Sequence, residues 1–593
     1  MASRVRAALA VSALVAVFAV VGAAYVMVVP LWESPDEPST VSTALTVATA
    51  RWVPTPDNPP LFPGVTLNAK LHPPLYFGLM GLVFAAIPDL QPEVLGNPFG
   101  GISAEVARYQ HAGGIPADRF RGAGSLRMVR GISLALGVAT LIVVWRTARL
   151  LAPGSLLVPF LGTAVFGLTP TFLFTHAAID PLPLAILLAS LTIHHMLRLY
   201  LRGTVDAASM RILGVLLMAG IAVRASLAFL YLPAALLVWR EKGRRATLVG
   251  QIIGPALLGM AWMFVLSPAP SLLAYRHLGA QLLKFSSSVF SLAGFRTLIL
   301  HTKNSFWARF GWADVYAPSW LIDVFDVLSL IIAAGWIGIL ARRTRIPGIG
   351  LAALTVAVGV AGYVKANLAQ FDPQGRYLGV LIAAYAPLGG LGLAVAVRVL
   401  RARLGRTVAV GLVLAALIGV NVYSLAGTLA PAYAARLYPN LGVDAYQDQG
   451  ELVWGGAGAG QSFIARRPGL TRVEFYFTPA RHSPQRILEF RLMESPLIPE
   501  PLAVARVPYP PPGQRPQVGF TFLPQQDSEN RSYFVRVATV PEGDPVSTWY
   551  TLEDRYIGGS RYADNTPAPG DMRFTTYYVL PSPGAPSPAP PLP

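Results

Sequence analysis

Five clusters of polar residues stand beside apolar runs in this 593-residue chain. Ionisable groups are costly to hold next to a bilayer and mark function by default. The first cluster is Trp32-Glu-Ser-Pro-Asp-Glu-Pro38, in which Asp36 and Glu37 lie between two prolines that stiffen the turn. A carboxylate there can deprotonate an acceptor hydroxyl or help hold a divalent cation; a solvated exit turn is the plain alternative. The second is Lys70-Leu-His-Pro-Pro-Leu-Tyr76, where His72 can donate to a phosphate or bind a metal, unless the prolines simply open a helix. The third holds Arg127 and Arg130 at i and i+3, one helix face suited to an anionic group such as a phosphate. The fourth, Thr175-His-Ala-Ala-Ile-Asp180-Pro, sets His176 and Asp180 ahead of an apolar run, where Asp180 is equally suited to cap a helix. The fifth is a pair of segments, Asn304-Ser-Phe-Trp-Ala-Arg-Phe-Gly-Trp-Ala-Asp314 and Gln370-Phe-Asp-Pro-Gln-Gly-Arg376-Tyr. They offer Arg309, Trp312, Gln374, Arg376 and Tyr377 for stacking on a sugar and pairing with a phosphate. Interfacial belts also use aromatics, a reading that suits Trp320 better than Trp307 or Trp312. Asp36, Glu37 and His72 are a permissive set for a divalent cation, Mg or Mn, and nothing in their spacing demands one.

Residues so far apart in the chain need a scaffold of membrane spans to meet. Apolar runs near the length that crosses a bilayer, about 20 residues, recur at 8–30, 128–146, 153–170, 177–197, 209–223, 226–239, 247–267, 320–340, 348–364, 377–397 and 407–427. The first keeps a bulky exit and no small-residue cleavage site, so it reads as a retained span. Basic clusters at Arg146/Arg149, Arg198/Arg202/Arg211, 240–245, 342–345 and 398–406 belong on the cytoplasmic side together with the N-terminus. All five polar clusters then face outward, on the long loop 31–127, a turn at 171–176, and the stretches 268–319 and 365–376. Eleven crossings leave the C-terminus outside. The run 73–88 is apolar but short; a crossing there would invert every later span, so it is expected as a half-inserted or interfacial helix.

Composition agrees with this plan. Hydrophobic residues make up 53% of the chain and charged residues 13%, against about 25% charged in soluble domains, which argues strongly against a wholly cytosolic enzyme. Residues 441–593 hold 13 basic and 15 acidic side chains, leaving 34 against 15 in the first 440. The net charge of +17 therefore belongs to the span-rich part, where basic loops are topology signals, and it is no argument for nucleic-acid binding. The chain has no Cys, which removes disulfides, thiol nucleophiles and Cys-based metal sites. Neither a P-loop nor an HExxH motif is present, which argues against a nucleotide-driven pump. Beyond 440 the apolar runs shorten and alternate, as in Arg472-Val-Glu-Phe-Tyr-Phe and Tyr533-Phe-Val-Arg-Val. That spacing predicts an extracytoplasmic all-β sandwich of about eight strands over 440–580, followed by a Pro-rich disordered tail at 581–593.

The ordered set SPDEP, HPPLY, SFWARFGW and QGRYL resembles the C-type (GT-C) glycosyltransferases over residues 1–430. It is similar to the protein O-mannosyltransferases and lipid A aminoarabinose transferases, and more similar still to a family of bacterial multi-span proteins regarded as their relatives. The resemblance implies a polytopic α-helical membrane enzyme of about 11–13 spans. Such an enzyme moves a sugar, by inversion, from a polyprenyl-phosphate-linked donor to an extracytoplasmic glycan, lipid or protein acceptor. By motif position it implies Asp36 as the catalytic acidic residue with Glu37 beside it. It implies His72, Arg130 and Arg376 for the donor phosphate, and Asp180 in the later Asp-Pro element. Tyr76 stands where the mannosyltransferases have Gly-Lys, and the C-terminal β module, carbohydrate-binding-like in strand pattern, is a further departure. The partners implied are the lipid-linked donor, the acceptor and the bilayer, with no nucleic acid. A transporter or flippase for a lipid-linked or anionic sugar is the main alternative. It would be expected to place its ionisable groups near the bilayer midplane rather than at span ends. A glycan-binding receptor anchored by the spans ranks last, because eleven crossings far exceed an anchor.

Overall fold

The computed structural model describes residues 2–50, 72–87, 122–203, 205–240, 245–266, 291–399 and 403–433 of a helical unit. In a second, β-rich unit it describes 437–441, 450–454, 458–465, 467–477, 487–498, 500–508, 517–540, 546–551, 556, 559–563 and 566–579. Most of the expected outer loop 31–127, much of 268–319 and the tail 581–593 lie outside these residues.

Among the described residues of the helical unit, seven helices are long and apolar enough to cross a membrane, and a helix pair bent by 69° makes up to eight. Every one of the eleven apolar runs falls on a helix or a bent pair. The opening helices are α1 (Ala2–Val28), α2 (Glu37–Ala50), α3 (Leu75–Ala85), α4 (Ala123–Leu151), α5 (Leu157–Gly167), α6 (Pro170–His176) and α7 (Pro181–Arg202). Shorter apolar helices occupy Ala207–Val223, Ala225–Trp239 and Thr247–Gly259, and four further long ones follow from Ser319. Small residues let the helix backbones close on one another. A Cβ on Gly162 would come within 2.3 Å of the Ala386 carbonyl, and one on Gly335 within 1.9 Å of that of Gly392.

Three local outcomes differ from the sequence reading. The turn expected at 171–176 is α6, opened by Thr169, whose hydroxyl accepts from the Phe172 amide, and by Pro170 at its first position. The bend between α5 and α6 lies at the Leu168–Thr169 break. The SPDEP turn leads straight into α2, whose Ser/Thr-rich sequence carries no strong apolar period. The stretch 268–319, expected as an outer loop, contains a helix, Leu292–Trp307, capped by Ser291, whose hydroxyl accepts from the Gly294 amide. The run read at 73–88 carries α3 (Leu75–Ala85), at 11 residues too short to cross, packed on α2: a Cβ on Gly81 would meet Val47 at 2.6 Å.

The second unit is antiparallel β. A six-stranded sheet runs Thr566–Ala568, Arg561–Ala563, Ala459–Ile464, Ser532–Val540, Ile487–Met493, Ala503–Pro508. A four-stranded sheet runs Leu437–Leu441, Phe574–Val579, Leu470–Tyr476, Gln517–Gln525, and a three-stranded one completes the set. With strands of two and three residues counted, there are thirteen among the described residues, more than the eight expected. Alternation places Phe463, Phe475, Phe490, Phe520, Val535 and Phe574 in one buried core.

Candidate active site

The site is organised by Glu37. Its two carboxylate oxygens take a fork from Arg130, Nε to Oε1 at 2.8 Å and Nη2 to Oε2 at 2.5 Å, and both side chains are fully buried. The same carboxylate accepts from the Trp32 amide at 2.9 Å and the Ile179 amide at 3.0 Å. Arg130 spends its remaining donors on the Val29 and Pro30 carbonyls, at 2.6 and 2.9 Å, at the C-terminal end of α1, where a cation is favoured. One ion pair therefore ties together the exit of α1, the start of α2, the start of α4 and the connection into α7. A buried charge is tolerated only when paired and hydrogen-bonded, and here every oxygen and nitrogen of the pair is used. The expectation that Arg130 meets a lipid phosphate and Glu37 a substrate has to yield to this geometry, because neither presents a group to solvent.

The neighbour of Glu37 has the opposite character. Asp36 adopts a left-handed backbone, φ +62°, and Trp32, five residues from Glu37, another, φ +76°. Such angles cost energy in non-glycine residues and persist where surrounding contacts enforce them; the Trp32 amide held by Glu37 is one such contact. The Asp36 carboxylate makes no hydrogen bond among the described residues. Its one ionic partner among the described residues is Arg376, with Nη2 3.9 Å from Oδ2, and the side chain is 30% exposed. Of two adjacent carboxylates, one is consumed by structure and the other is held only by a long ion pair.

Arg376 reaches this point from the other end of the unit. Asp372 accepts from the Gln374 side-chain amide at 2.6 Å and the Tyr377 hydroxyl at 3.0 Å, folding the loop on itself. Gly375 seats that loop on the Leu292–Trp307 helix: its amide donates to Ser305 Oγ at 2.7 Å, and a Cβ would sit 2.3 Å from the Thr302 carbonyl. Arg376 is 10% exposed, lies 5.1 Å from the Tyr377 ring centre, and leaves its buried Nε without a partner. Arg224, at the end of the Ala207–Val223 helix, lies 4.8 Å over the same ring. Its guanidinium makes no hydrogen bond or ion pair among the described residues. Nothing in the sequence marks Arg224 out, because one arginine between two apolar runs looks like any loop cation.

Asp180 caps α7 by accepting from the Leu182 amide at 2.6 Å, as a capping reading allows, and it also belongs to this charge cluster. Burial pushes its carboxyl above the ordinary carboxylate range, Arg376 and Arg224 pull it back, and Asp36 adds to the rise. Since the Ile179 amide is held by Glu37, the same clamp fixes the residues beside both Asp36 and Asp180.

A small cleft is lined by Pro35, Thr171, Phe174, Ser305, Gln374 and Arg376, and by Arg309, Gly311 and Ala313 of a hairpin made by β1 (Arg309–Phe310) and β2 (Val315–Tyr316). The Trp312 indole donates to the Trp32 carbonyl at 3.1 Å, tying that hairpin to the SPDEP turn. Other expected residues stand elsewhere. His176 is buried against Phe18 and Phe172, its Nδ1 on the Phe172 carbonyl at 2.8 Å, inside the packing of α1, α4 and α6. Trp307 is core as well, stacked on Phe325 at 4.6 Å. His72 is half-buried in the turn before α3. No group of three or more His, Asp or Glu able to hold a metal occurs among the described residues, and Glu37, committed to Arg130, is not open to the cation trio considered from the sequence. The ionisable groups of the cluster all lie at helix ends.

No family model matches the chain, and no curated protein matches it. Among solved structures it is similar to the archaeal oligosaccharyltransferase AglB from Archaeoglobus fulgidus, in complex with an inhibitory peptide and a dolichol-phosphate. That match has 12% identity, 72% of this chain, 56% of that one and a TM-score of 0.38; the present chain thus spans just over half of AglB's length. It is also similar to ArnT from Cupriavidus metallidurans bound to undecaprenyl phosphate, at 14% identity, 71% and 73% coverage and a TM-score of 0.39. A third similarity is to the arabinosyltransferase EmbB from Mycobacterium smegmatis, at 10% identity, 96% and 64% coverage and a TM-score of 0.42. By the length and apolar composition of its helices, the chain is a multi-pass membrane protein.

Proposed function

We propose that this protein transfers a sugar from a polyprenyl-phosphate-linked donor to a hydroxyl acceptor, at a site on the extracytoplasmic side of the membrane. The observation that carries this reading is the meeting of Asp36 and Arg376, 340 positions apart, as an ion pair too long to be a hydrogen bond. A carboxylate facing buried cations is what displacement at an anomeric carbon requires. Asp36 takes the proton of the acceptor hydroxyl as its oxygen bonds to C1. The C1–O bond to phosphate breaks on the opposite face, with inversion, and the electron pair leaves on the lipid phosphate. Arg376 and Arg224, stacked on Tyr377, stabilise the charge that develops there. Two cations in a partly buried site act more strongly than they would in water. Glu37 and Arg130 are positioning residues, fixing the backbone beside Asp36 and Asp180. His72 is assigned a supporting place near the donor.

The experiment is transfer of labelled sugar in vesicles holding the purified protein, with labelled polyprenyl-phosphate sugar on one face. Label appearing covalently on an added acceptor, with free polyprenyl phosphate as co-product, is expected. Movement of intact donor between leaflets with no new glycosidic bond would replace this reading with a transporter.

A further inference from the structure

Arg309 lines the same cleft as Arg376, yet nothing in the proposed reaction uses it. Its chain position is fixed: Gly311 and Ala313 turn the hairpin at φ +59° and +64°, and the Arg309 amide donates to Thr171 Oγ1 at 3.3 Å. The guanidinium has only neutral partners among the described residues. Nη2 donates to the Tyr316 hydroxyl at 2.6 Å, the group lies 4.4 Å over the Tyr316 ring, and Nη1 meets His301 Nδ1 at 3.2 Å. Its Nε is buried with no partner at all. Burial and the Arg309 charge hold the His301 imidazole below its ordinary range, so His301 serves as a neutral acceptor rather than a second cation. Arg130 is neutralised by Glu37 and Arg376 faces Asp36, whereas Arg309, in the cleft wall, has no acidic partner among the described residues.

Resting on the reading above, we propose that the cleft takes a substrate with a second anionic group, bound by Arg309 and separate from the lipid phosphate held at Arg376. That group is either the second phosphate of a diphosphate donor or a carboxylate or phosphate on the acceptor. A partly buried guanidinium with a spare donor recognises either through charge-assisted hydrogen bonds.

Binding to the purified full-length chain, measured with two probe pairs, separates the sources. Farnesyl phosphate and farnesyl diphosphate differ by one phosphate; methyl glucoside and methyl glucuronide differ by a carboxylate. The wild type is expected to prefer the more anionic member of one pair by about tenfold, the scale of one charged pair. Arg309→Gln should abolish that preference, and Tyr316→Phe, which removes only a neutral partner, should keep it. Arg309→Lys, retaining charge without the fork, should keep part of it and serves if the glutamine variant fails to fold. No preference within either pair, or a preference that survives Arg309→Gln, overturns the inference. If the wild type binds farnesyl phosphate but shows no preference, only this inference falls; if it binds neither lipid, the proposed function falls with it.

Discussion

At the scale of single residues, the molecule divides labour between adjacent carboxylates. Glu37 has both oxygens engaged by Arg130 and two backbone amides, while Asp36 is left with an ion pair of 3.9 Å. Removing one member of a fully buried pair strands the other in low dielectric, at a cost of about 3–5 kcal/mol, whereas replacing both by apolar groups is far milder. Glu37→Leu or Arg130→Met alone should therefore fold poorly, and the double variant should recover most of the lost thermal stability in detergent. Equal losses for single and double variants would mean the pair is not coupled. The sequence reading singled out Asp36, Glu37, Arg130, Asp180 and Arg376 because charges beside apolar runs are conspicuous. It could not tell that two of them, 93 positions apart, cancel each other, since spacing carries no information on which charge finds which. Nor could it distinguish His176 as a packed helix residue from a ligand.

Among elements, the loop carrying Arg376 depends on one close approach. A Cβ on Gly375 would sit 2.4 Å from the Phe306 amide nitrogen and 2.3 Å from the Thr302 carbonyl, both backbone and unable to yield cheaply. Gly375→Ala should displace Arg376 and lower donor affinity at least about tenfold, with the helices still inserted; unchanged affinity would place the phosphate elsewhere. In the β unit, Glu489 is paired with Arg491 at 2.6 Å and Arg506 at 2.9 Å. Burial alone would raise its carboxyl, but hydrogen bonds and charge from these arginines hold it below the ordinary range. A depressed folded-state pKa adds stability above the unfolded-state pKa, and that stability is lost as pH falls through the folded value. The melting advantage of wild type over Glu489→Gln should thus be present at pH 7 and vanish on acidification. The arginines are partly exposed, so the advantage should also shrink in high salt. Apolar run length made the spans legible. The helix Glu37–Ala50 was not, because its Ser, Thr and Ala residues show no strong apolar period and its packing on Leu75–Ala85 is a tertiary matter.

For the whole molecule, sidedness is the expectation with most at stake, and the absence of Cys makes it easy to read. Leu497→Cys, 89% exposed in the β unit, should react with an impermeant thiol reagent on intact cells. Arg343→Cys, in the exposed basic turn after Ser319–Ala341, should react only after the membrane is opened. The reverse pattern would put Asp36 and Arg376 away from an external acceptor. Composition and charge placement alone suggest two structural regimes, and the chain divides near 433 into a helical and a β unit. What they do not convey is which loops meet. The meeting of Asp36 with Arg376 is tested most directly by single-turnover sugar transfer from labelled polyprenyl-phosphate donor, run on purified Asp36→Asn beside the wild type. The expected result is a rate lowered by about 10²–10⁴, the worth of a positioned base, with donor affinity retained. Transfer by Asp36→Asn at the wild-type rate would contradict the assignment outright.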